Sequence, residues 1–390
     1  MKIAFLCSGL EPGGDGVGDY TLRLAGEFIR QGHESIAIAI NDGVVSVKRL
    51  EIQETAGTEV SVLRLPDEMT WSDRLTEAQD RLLDFRADWI SLQFVPFGFQ
   101  RKGLCFGLGK RLAGIGGKAS WHILFHELWL GMEIGTPVKN RFWGILQRSI
   151  VRDIIRRLHP RVVNTHTEPY CNVLNDDIVP ASFLPLFCNV PVVEGDGWTG
   201  FLEPMVAHKL GEKADRSNLY LAGIFGSVYS EWKAYEAVET LFPLTQQAGK
   251  RLMLIFFGRS GLSDESMSEL KLSVKGRADV IFAGEMSAPE ISKVIQTLDL
   301  GLATSPWQAI QKSSSVATLL FHGVPVAVTR DDWRLPHAGV LRHVDPSRLI
   351  SPEEFKTLRD LPTRRAELSD SGSVRSAVEK MLALFADAAV

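Results

Sequence analysis

Lys312 is followed by three serines, Ser313, Ser314 and Ser315, where a helix is predicted to begin, and residues of these types in this order can hold an anion. Backbone N–H groups and hydroxyls at a helix start point one way, with the positive end of the helix dipole behind them. A lysine beside them makes a seat for a phosphate or diphosphate. The same residues fit a plainer role equally well, with Ser313 capping the helix and Lys312 in solvent. Two strands frame the segment: Leu298 to Ala303, broken by Ser305 and Pro306, and Val324 to Val328, reached after a helix through Val316, Leu319 and Leu320 that stops at Gly323.

A second group of candidates lies in the first half. The loop Gly13-Gly14-Asp15-Gly16-Val17-Gly18 holds more glycine than one tight turn requires, and glycine lets backbone approach a bound group closely. Asp15 stands in it as a candidate catalytic carboxylate or as the cap of the following helix. Asp19 and Arg23, four apart, read as a surface pair. His126 falls at the carboxyl end of a predicted buried strand, where open α/β sheets bind ligands, and is a catalytic or substrate-contacting candidate. Its neighbour Glu127 is a weaker one, with a buried ion pair as the alternative. In the second half Lys233 offers a flexible point charge for a phosphate, or an ordinary solvated helix-start lysine. Arg259 and Gly284-Glu285 follow two further strands, where plain loops fit as well.

The elements that must position these residues alternate. Strands are predicted at Ile3–Cys7, 35–40, 60–65, 89–94, 119–125, 162–164 and 181–186, with helices near 17–31, 71–85 and 138–158. Periodicity fades from Pro191 to about Asp215, read as a linker. Strands resume at 219–224, 252–257 and 280–283, and an amphipathic helix closes the chain near 374–385. Buried strands alternating with helices imply parallel sheets covered on both faces. The expected fold class is α/β, with two doubly wound, Rossmann-like domains at 1–195 and 216–350 and C-terminal helices at 351–390.

Length and composition agree. At 390 residues the chain is too long for one ordinary core. An apolar share of 45% and a charged share of 23% are those of a globular protein, and a net charge of -4 argues against a general nucleic-acid binder. Cys7, Cys105, Cys171 and Cys188 are scattered, which predicts a reduced, cytoplasmic protein. The N-terminal apolar run is too short for a signal peptide. No acidic pair follows a strand where it could hold a metal ion, so no metal and no cofactor are expected. Between Arg101 and Arg161 twelve Lys and Arg residues face only Glu127, Glu133 and Asp153. With Trp143, Leu146, Ile150 and Ile154 along one face of the 138–158 helix, that charge suits a peripheral contact with an anionic membrane at its inner face, an anionic acceptor, or a solvated basic face.

Four local patterns make the chain resemble the GT-B glycosyltransferases, most closely the family 4 group. They are Gly13-Gly14 with a helix ending in Gly32-His33-Glu34; His126 in FHELW; Gly226 followed seven residues later by Lys233; and LLFHGVPVAV before the last strand. The resemblance covers nearly the whole chain in order. It implies two domains facing across a cleft, an acceptor side in the first and a nucleotide-sugar side in the second, and a last helix crossing back to the first domain. It implies a metal-independent, retaining sugar transfer from a nucleotide-sugar to a carbohydrate or lipid-linked acceptor, as in polysaccharide biosynthesis. The loop at Gly13, Gly14 and Gly16 would lie near the diphosphate, His126 near the sugar, and Lys233, Arg259, Lys312, Ser313 and Ser314 near the nucleotide and its phosphates. The chain departs from the family at its paired glutamates, whose positions are held by Ile310 and Thr318, the latter where the ribose would be bound. Ser227 replaces the usual arginine, and no Asp or Glu occurs between Asp299 and Asp331. A sugar-nucleotide epimerase or hydrolase of the same architecture, and a non-catalytic glycan- or nucleotide-binding relic, are the alternatives.

Overall fold

Each of two parallel sheets is wound outward from a central strand and then back past it, and that reversal leaves a crevice at the strand ends. The computed structural model describes residues 1–336, 341–342, 347–364 and 372–388. The described residues divide into two compact units, the first holding Met1–Pro185, Leu335 and Pro336, and 374–388, the second Leu186–Arg334 with 341–342, 347–364 and 372–373.

The first unit contains β1 (Lys2–Cys7), β2 (Glu34–Asp42), β3 (Arg49–Thr55), β4 (Thr58–Pro66), β5 (Trp89–Phe94), β6 (Ser120–Phe125), β7 (Val162–Thr165) and β8 (Ser182–Phe183). They lie in the order β3-β4-β2-β1-β5-β6-β7-β8, and all pairs are parallel except β3 with β4. The winding reverses between β1 and β5. These strands form because runs such as Ile3 to Cys7 are apolar on both faces and lie fully buried under helices. Helices Gly16–Arg30, Trp71–Phe85 and Val138–Leu158 cover them.

The hairpin β3–β4 is missing from the sequence reading, for a physical reason. Along β3 the apolar Leu50 and Ile52 face solvent, while Glu51 and Gln53 turn inward to Arg64 and the carbonyl of Leu10. The alternation is there, but inverted.

In the second unit β9 (Leu219–Phe225), β10 (Arg251–Phe257), β11 (Asp279–Gly284), β12 (Leu300–Ala303), β13 (Val326–Val328) and β14 (Leu349–Ile350) form a sheet in the order β11-β10-β9-β12-β13-β14. All its pairs are parallel, and the reversal falls between β9 and β12.

The unit boundaries differ from those read in the sequence. The stretch read as a linker is helical at Trp198–Leu202 and Glu203–Leu210. Leu202 and Val206 are fully buried there in the core of the second unit, with Leu219, Leu221 and Met253. Residues 351–364 also stay with that unit, where Tyr220 donates to the carbonyl of Pro362 at 2.7 Å. The last helix, Val374–Asp387, packs into the first unit: Phe385 stacks on Trp89 with centroids 4.1 Å apart.

Candidate functional site

In the first unit the glycine loop is held from three sides. Gly13, at φ 68°, gives its N–H to Asp19 Oδ1 at 2.9 Å. Asp15 caps the helix Gly16–Arg30, with Oδ1 accepting from the N–H groups of Val17 and Gly18 at 2.8 and 2.7 Å. Asp15 thus takes the capping role that the sequence offered for it. Asp19 is no simple surface partner of Arg23: burial raises its carboxyl, while the Gly13 N–H and then Arg23 pull it back. Below the loop, the buried Arg64 binds Asp42 at 2.8 Å and also Glu11, and Asp42 accepts from the N–H of Leu10. The carboxylate of Asp42 is held below its usual range despite burial, chiefly by Arg64.

His126 opens a chain of polar side chains along one face of β5, β6 and β7. Ser182 and Leu184 terminate it with backbone carbonyls. Asn164 donates to the Ser182 carbonyl at 3.0 Å and meets His122 Nε2 at 3.1 Å through Oδ1. His122 Nδ1 lies 2.7 Å from Ser91 Oγ, which lies 2.7 Å from Gln93 Nε2. Gln93 Oε1 meets His126 Nε2 at 3.0 Å, His126 Nδ1 meets His166 Nε2 at 3.2 Å, and His166 Nδ1 meets the Leu184 carbonyl at 2.9 Å. The ring of Tyr20 stands edge-on to both His126 and His166, with centroids 5.1 Å away.

This chain can be counted. The Leu184 carbonyl only accepts, so His166 carries its proton on Nδ1 and His126 must donate from its own Nδ1. From the other end, the Ser182 carbonyl fixes Asn164, which requires a proton on His122 Nε2, and Ser91 then donates to His122 and accepts from Gln93. Both ends therefore ask His126 for a proton. With every histidine neutral the chain is one proton short, and turning the Gln93 amide only moves the gap to His122. Burial drives the rings neutral, His122 to about 3 and His166 to about 4. His126 is also pushed well down, by burial and then by His166. The gap thus falls between Gln93 Oε1 and the half-buried His126. Nδ1 of His126 is committed to His166, and its Nε2 faces Gln93 Oε1, so the ring sits within a polar chain at the strand end. Glu127, the next residue, is half-buried.

In the second unit three neighbouring strands end in glycines of positive φ, Gly226 (77°), Gly258 (78°) and Gly284 (78°). Gly226 is the one where closeness matters: a Cβ there would lie 2.8 Å from Ser315 Oγ. At the winding reversal Thr304 Oγ1 donates to the carbonyl of Ser227 at 2.8 Å, tying the loop after β9 to that after β12. Arg330, after β13, is buried. It donates to the Thr304 carbonyl at 3.1 Å and pairs with Asp332 at 2.7 Å.

Lys312 ends a 3-10 turn, Trp307–Lys312, and Ser313 is the cap of helix Ser314–Phe321, accepting from Val316 N–H at 3.4 Å. The helix ends where the sequence places its stop: His322 is the C-terminal cap, and Gly323 turns the chain at φ 78°. Ser314 is exposed, whereas Ser315 is the serine that faces Gly226. Thr318 is buried and donates to the Ser314 carbonyl at 2.8 Å, so its hydroxyl serves the helix rather than being presented for a ribose. Ile310 is core. Lys233 is exposed and folds back on the carbonyl of Ser230 at 3.1 Å. Arg259 forms an exposed ion pair with Glu285 at 3.4 Å. Gln93, His166, Tyr20 and Arg330 are not among the candidate site residues of the sequence reading, whereas Ser315 belongs to its serine cluster; strand-end position was the available signal for His166 and Arg330.

This pair of doubly wound units is a GT-B glycosyltransferase-like fold. Solved structures similar to nearly the whole chain share it. Anabaena HepE in complex with UDP has a TM-score of 0.58 at 12% identity, covering 100% of this chain and 98% of that one. An α,α-trehalose-phosphate synthase (UDP-forming) from Burkholderia xenovorans, in complex with glucose-6-phosphate, has 0.58 at 10% identity, with coverages of 98% and 99%. A UDP-GlcNAc 2-epimerase from Neisseria meningitidis, bound to UDP-GlcNAc, has 0.51 at 11%, covering 99% and 100%. No protein-family model and no curated protein sequence matches the chain.

Proposed function

We propose that the protein is a glycosyltransferase that moves a sugar from a nucleotide-sugar to a carbohydrate or lipid-linked acceptor. The observation that carries this reading is the likeness, over nearly the full chain, to proteins whose structures hold UDP or a sugar phosphate. The second unit would hold the nucleotide at the ends of β9 and β12, where the backbone turns at Gly226 and Ser315 lies against it. Negative charge grows on the departing diphosphate as the glycosidic bond breaks, and positive groups placed there stabilise the transition state. Lys312 with the Ser313 helix start, and Lys233 after a side-chain turn, are the candidates for that task. The first unit would serve the acceptor, with the Gly13-Gly14 loop and the histidine chain at its strand ends. Retention of configuration and independence from metal belong to the same reading. An acceptor carried on lipid would bring the chain to an anionic membrane surface at the inner, cytoplasmic face.

Epimerisation is the second reading, favoured by the likeness to UDP-GlcNAc 2-epimerases. One experiment separates the readings. Nucleotides and nucleotide-sugars are screened by thermal shift, and a stabilising nucleotide-sugar is then incubated with and without glycan acceptors, with and without EDTA. A transferase releases nucleotide in an acceptor-dependent way that EDTA leaves intact. An isomeric nucleotide-sugar formed without acceptor establishes the epimerase. A melting point moved by glycans and by no nucleotide would leave a binding protein. A ligand at a hundred times its Kd adds about 2.7 kcal/mol, well within reach of this measurement.

A further inference from the structure

The helix Val138–Leu158 shows solvent a face that the core does not explain. Val138, Phe142 and Ile145 are 81%, 59% and 65% exposed, and Ile134, just before the helix, is 65% exposed. Positions 138, 142 and 145 lie one turn apart on a single side. The opposite side, Ile150, Val151, Ile154 and Leu158, is buried in the first unit. Trp143 and Leu146 are half-buried, so the apolar side read from the sequence is mostly the inward one. Along the outward side the apolar residues give way to Ser149, Arg152 and Arg156, all exposed.

Charge is what selects the partner. The helix carries six basic residues and one acid, in a chain whose net charge is -4. Its acid, Asp153, is taken by Arg156 and Arg157, and Arg148 pairs with Asp177. Glu133, beside Ile134, accepts from the hydroxyl of Thr136. Lys139, Arg141 and Arg152 are left exposed beside the apolar residues. Large apolar side chains at a tip, flanked by guanidinium and ammonium groups, match the boundary between acyl chains and anionic headgroups. No described helix is long and apolar enough to cross a membrane, so the contact is peripheral.

We propose that this face docks on an anionic lipid surface, with Val138, Phe142 and Ile145 entering the acyl boundary and Lys139, Arg141 and Arg152 lying at the headgroups. The proposal goes beyond the transferase reading and is measured with no nucleotide present. The test is co-sedimentation of the full chain with vesicles of phosphatidylcholine, alone or mixed with phosphatidylglycerol, at low and high salt. The wild type binds the mixed vesicles, and salt weakens the binding. The double change Phe142→Ser with Ile145→Ser lowers partitioning about tenfold or more, since each removes a large apolar side chain from the lipid. Arg141→Glu with Arg152→Glu lowers it comparably. Because these side chains are exposed, both variants keep the wild-type melting point; Val138→Ser serves if a double variant misfolds. Absence of wild-type binding to the mixed vesicles overturns the proposal, and so do serine variants that bind as well as wild type. A wild-type dimer that Phe142→Ser dissolves would also overturn it, making the face a contact between two copies of the chain.

Discussion

His126 Nδ1 lies 3.2 Å from His166 Nε2, and this contact sets the protonation of both rings. Because His166 gives its own proton to the Leu184 carbonyl, it can only accept from His126, which then has no second proton for Gln93 while it is neutral. The two residues directly follow adjacent parallel strands, forty positions apart.

The first prediction concerns acid. His166 is driven down from 6.5 to about 4 and His122 to about 3, mainly by burial. Below pH 6.5 the unfolded chain takes up protons that the fold refuses, so stability falls with pH and the loss from His166 levels off near pH 4. For that residue the loss is on the order of 3 kcal/mol. His166→Gln should flatten the slope of denaturant-derived stability between pH 6 and 4. An unchanged slope would remove the ring from this account.

Asp42→Asn should be the most damaging single change near the glycine loop. Asp42 and Arg64 are both almost wholly buried, and removing one charge leaves the other uncompensated. A loss of about 3–5 kcal/mol is expected in urea unfolding. A loss below 1 kcal/mol would mean that Glu11 and Glu51 suffice to hold the arginine.

Lys312→Ala should weaken nucleoside diphosphate binding by about ten- to a hundredfold, from the roughly 1.5–3 kcal/mol of a charge-assisted contact. Nucleoside binding should hardly change. Ser313→Ala should cost about 0.5–2 kcal/mol of stability as a lost cap, with a smaller effect on binding. Calorimetric titration with nucleoside, monophosphate and diphosphate checks both. Equal diphosphate affinity in wild type and Lys312→Ala would return the lysine to the solvent.

Gly226→Ala should be harmful in two ways, because φ is 77° and the new methyl meets Ser315 Oγ at 2.8 Å. A loss of about 1–3 kcal/mol is expected from the backbone strain. Adding Ser315→Ala should recover the steric part and leave the strain. If the pair behaves additively in melting experiments, the close approach is not what matters.

Much of the fold was legible because buried parallel strands carry their signal in one short run. Ile3 to Cys7, Trp89 to Phe94 and Leu252 to Phe257 needed no distant partner to be read. The helix Val138–Leu158 was equally plain in extent but not in orientation. In its first half the apolar side chains spread over a wide arc, from Ile145 through Phe142 to Trp143, so periodicity alone cannot say whether Phe142 or Trp143 faces the core. The site was less legible because its contacts are non-local. Position alone suggested His126, but nothing near it in sequence announces Gln93 or His166. Arg64, at the end of β4, gathers Asp42, Glu11 and Glu51 only once β2, β3 and β4 have paired.

The stacking of Phe385 on Trp89, with Arg161 donating to the carbonyl of Ala388 at 2.9 Å, bears on how the chain is made. During synthesis β5 emerges nearly three hundred residues before the helix that covers it. The second unit, whose residues follow one another almost without interruption, can close without that helix. The first unit must wait with Trp89 uncovered, and its last contacts are far apart in sequence, which slows their formation. Translation thus runs from the first unit to the second, whereas completion runs the other way. A released chain ending before Val374 would be a substrate for chaperones in its first half and complete in its second.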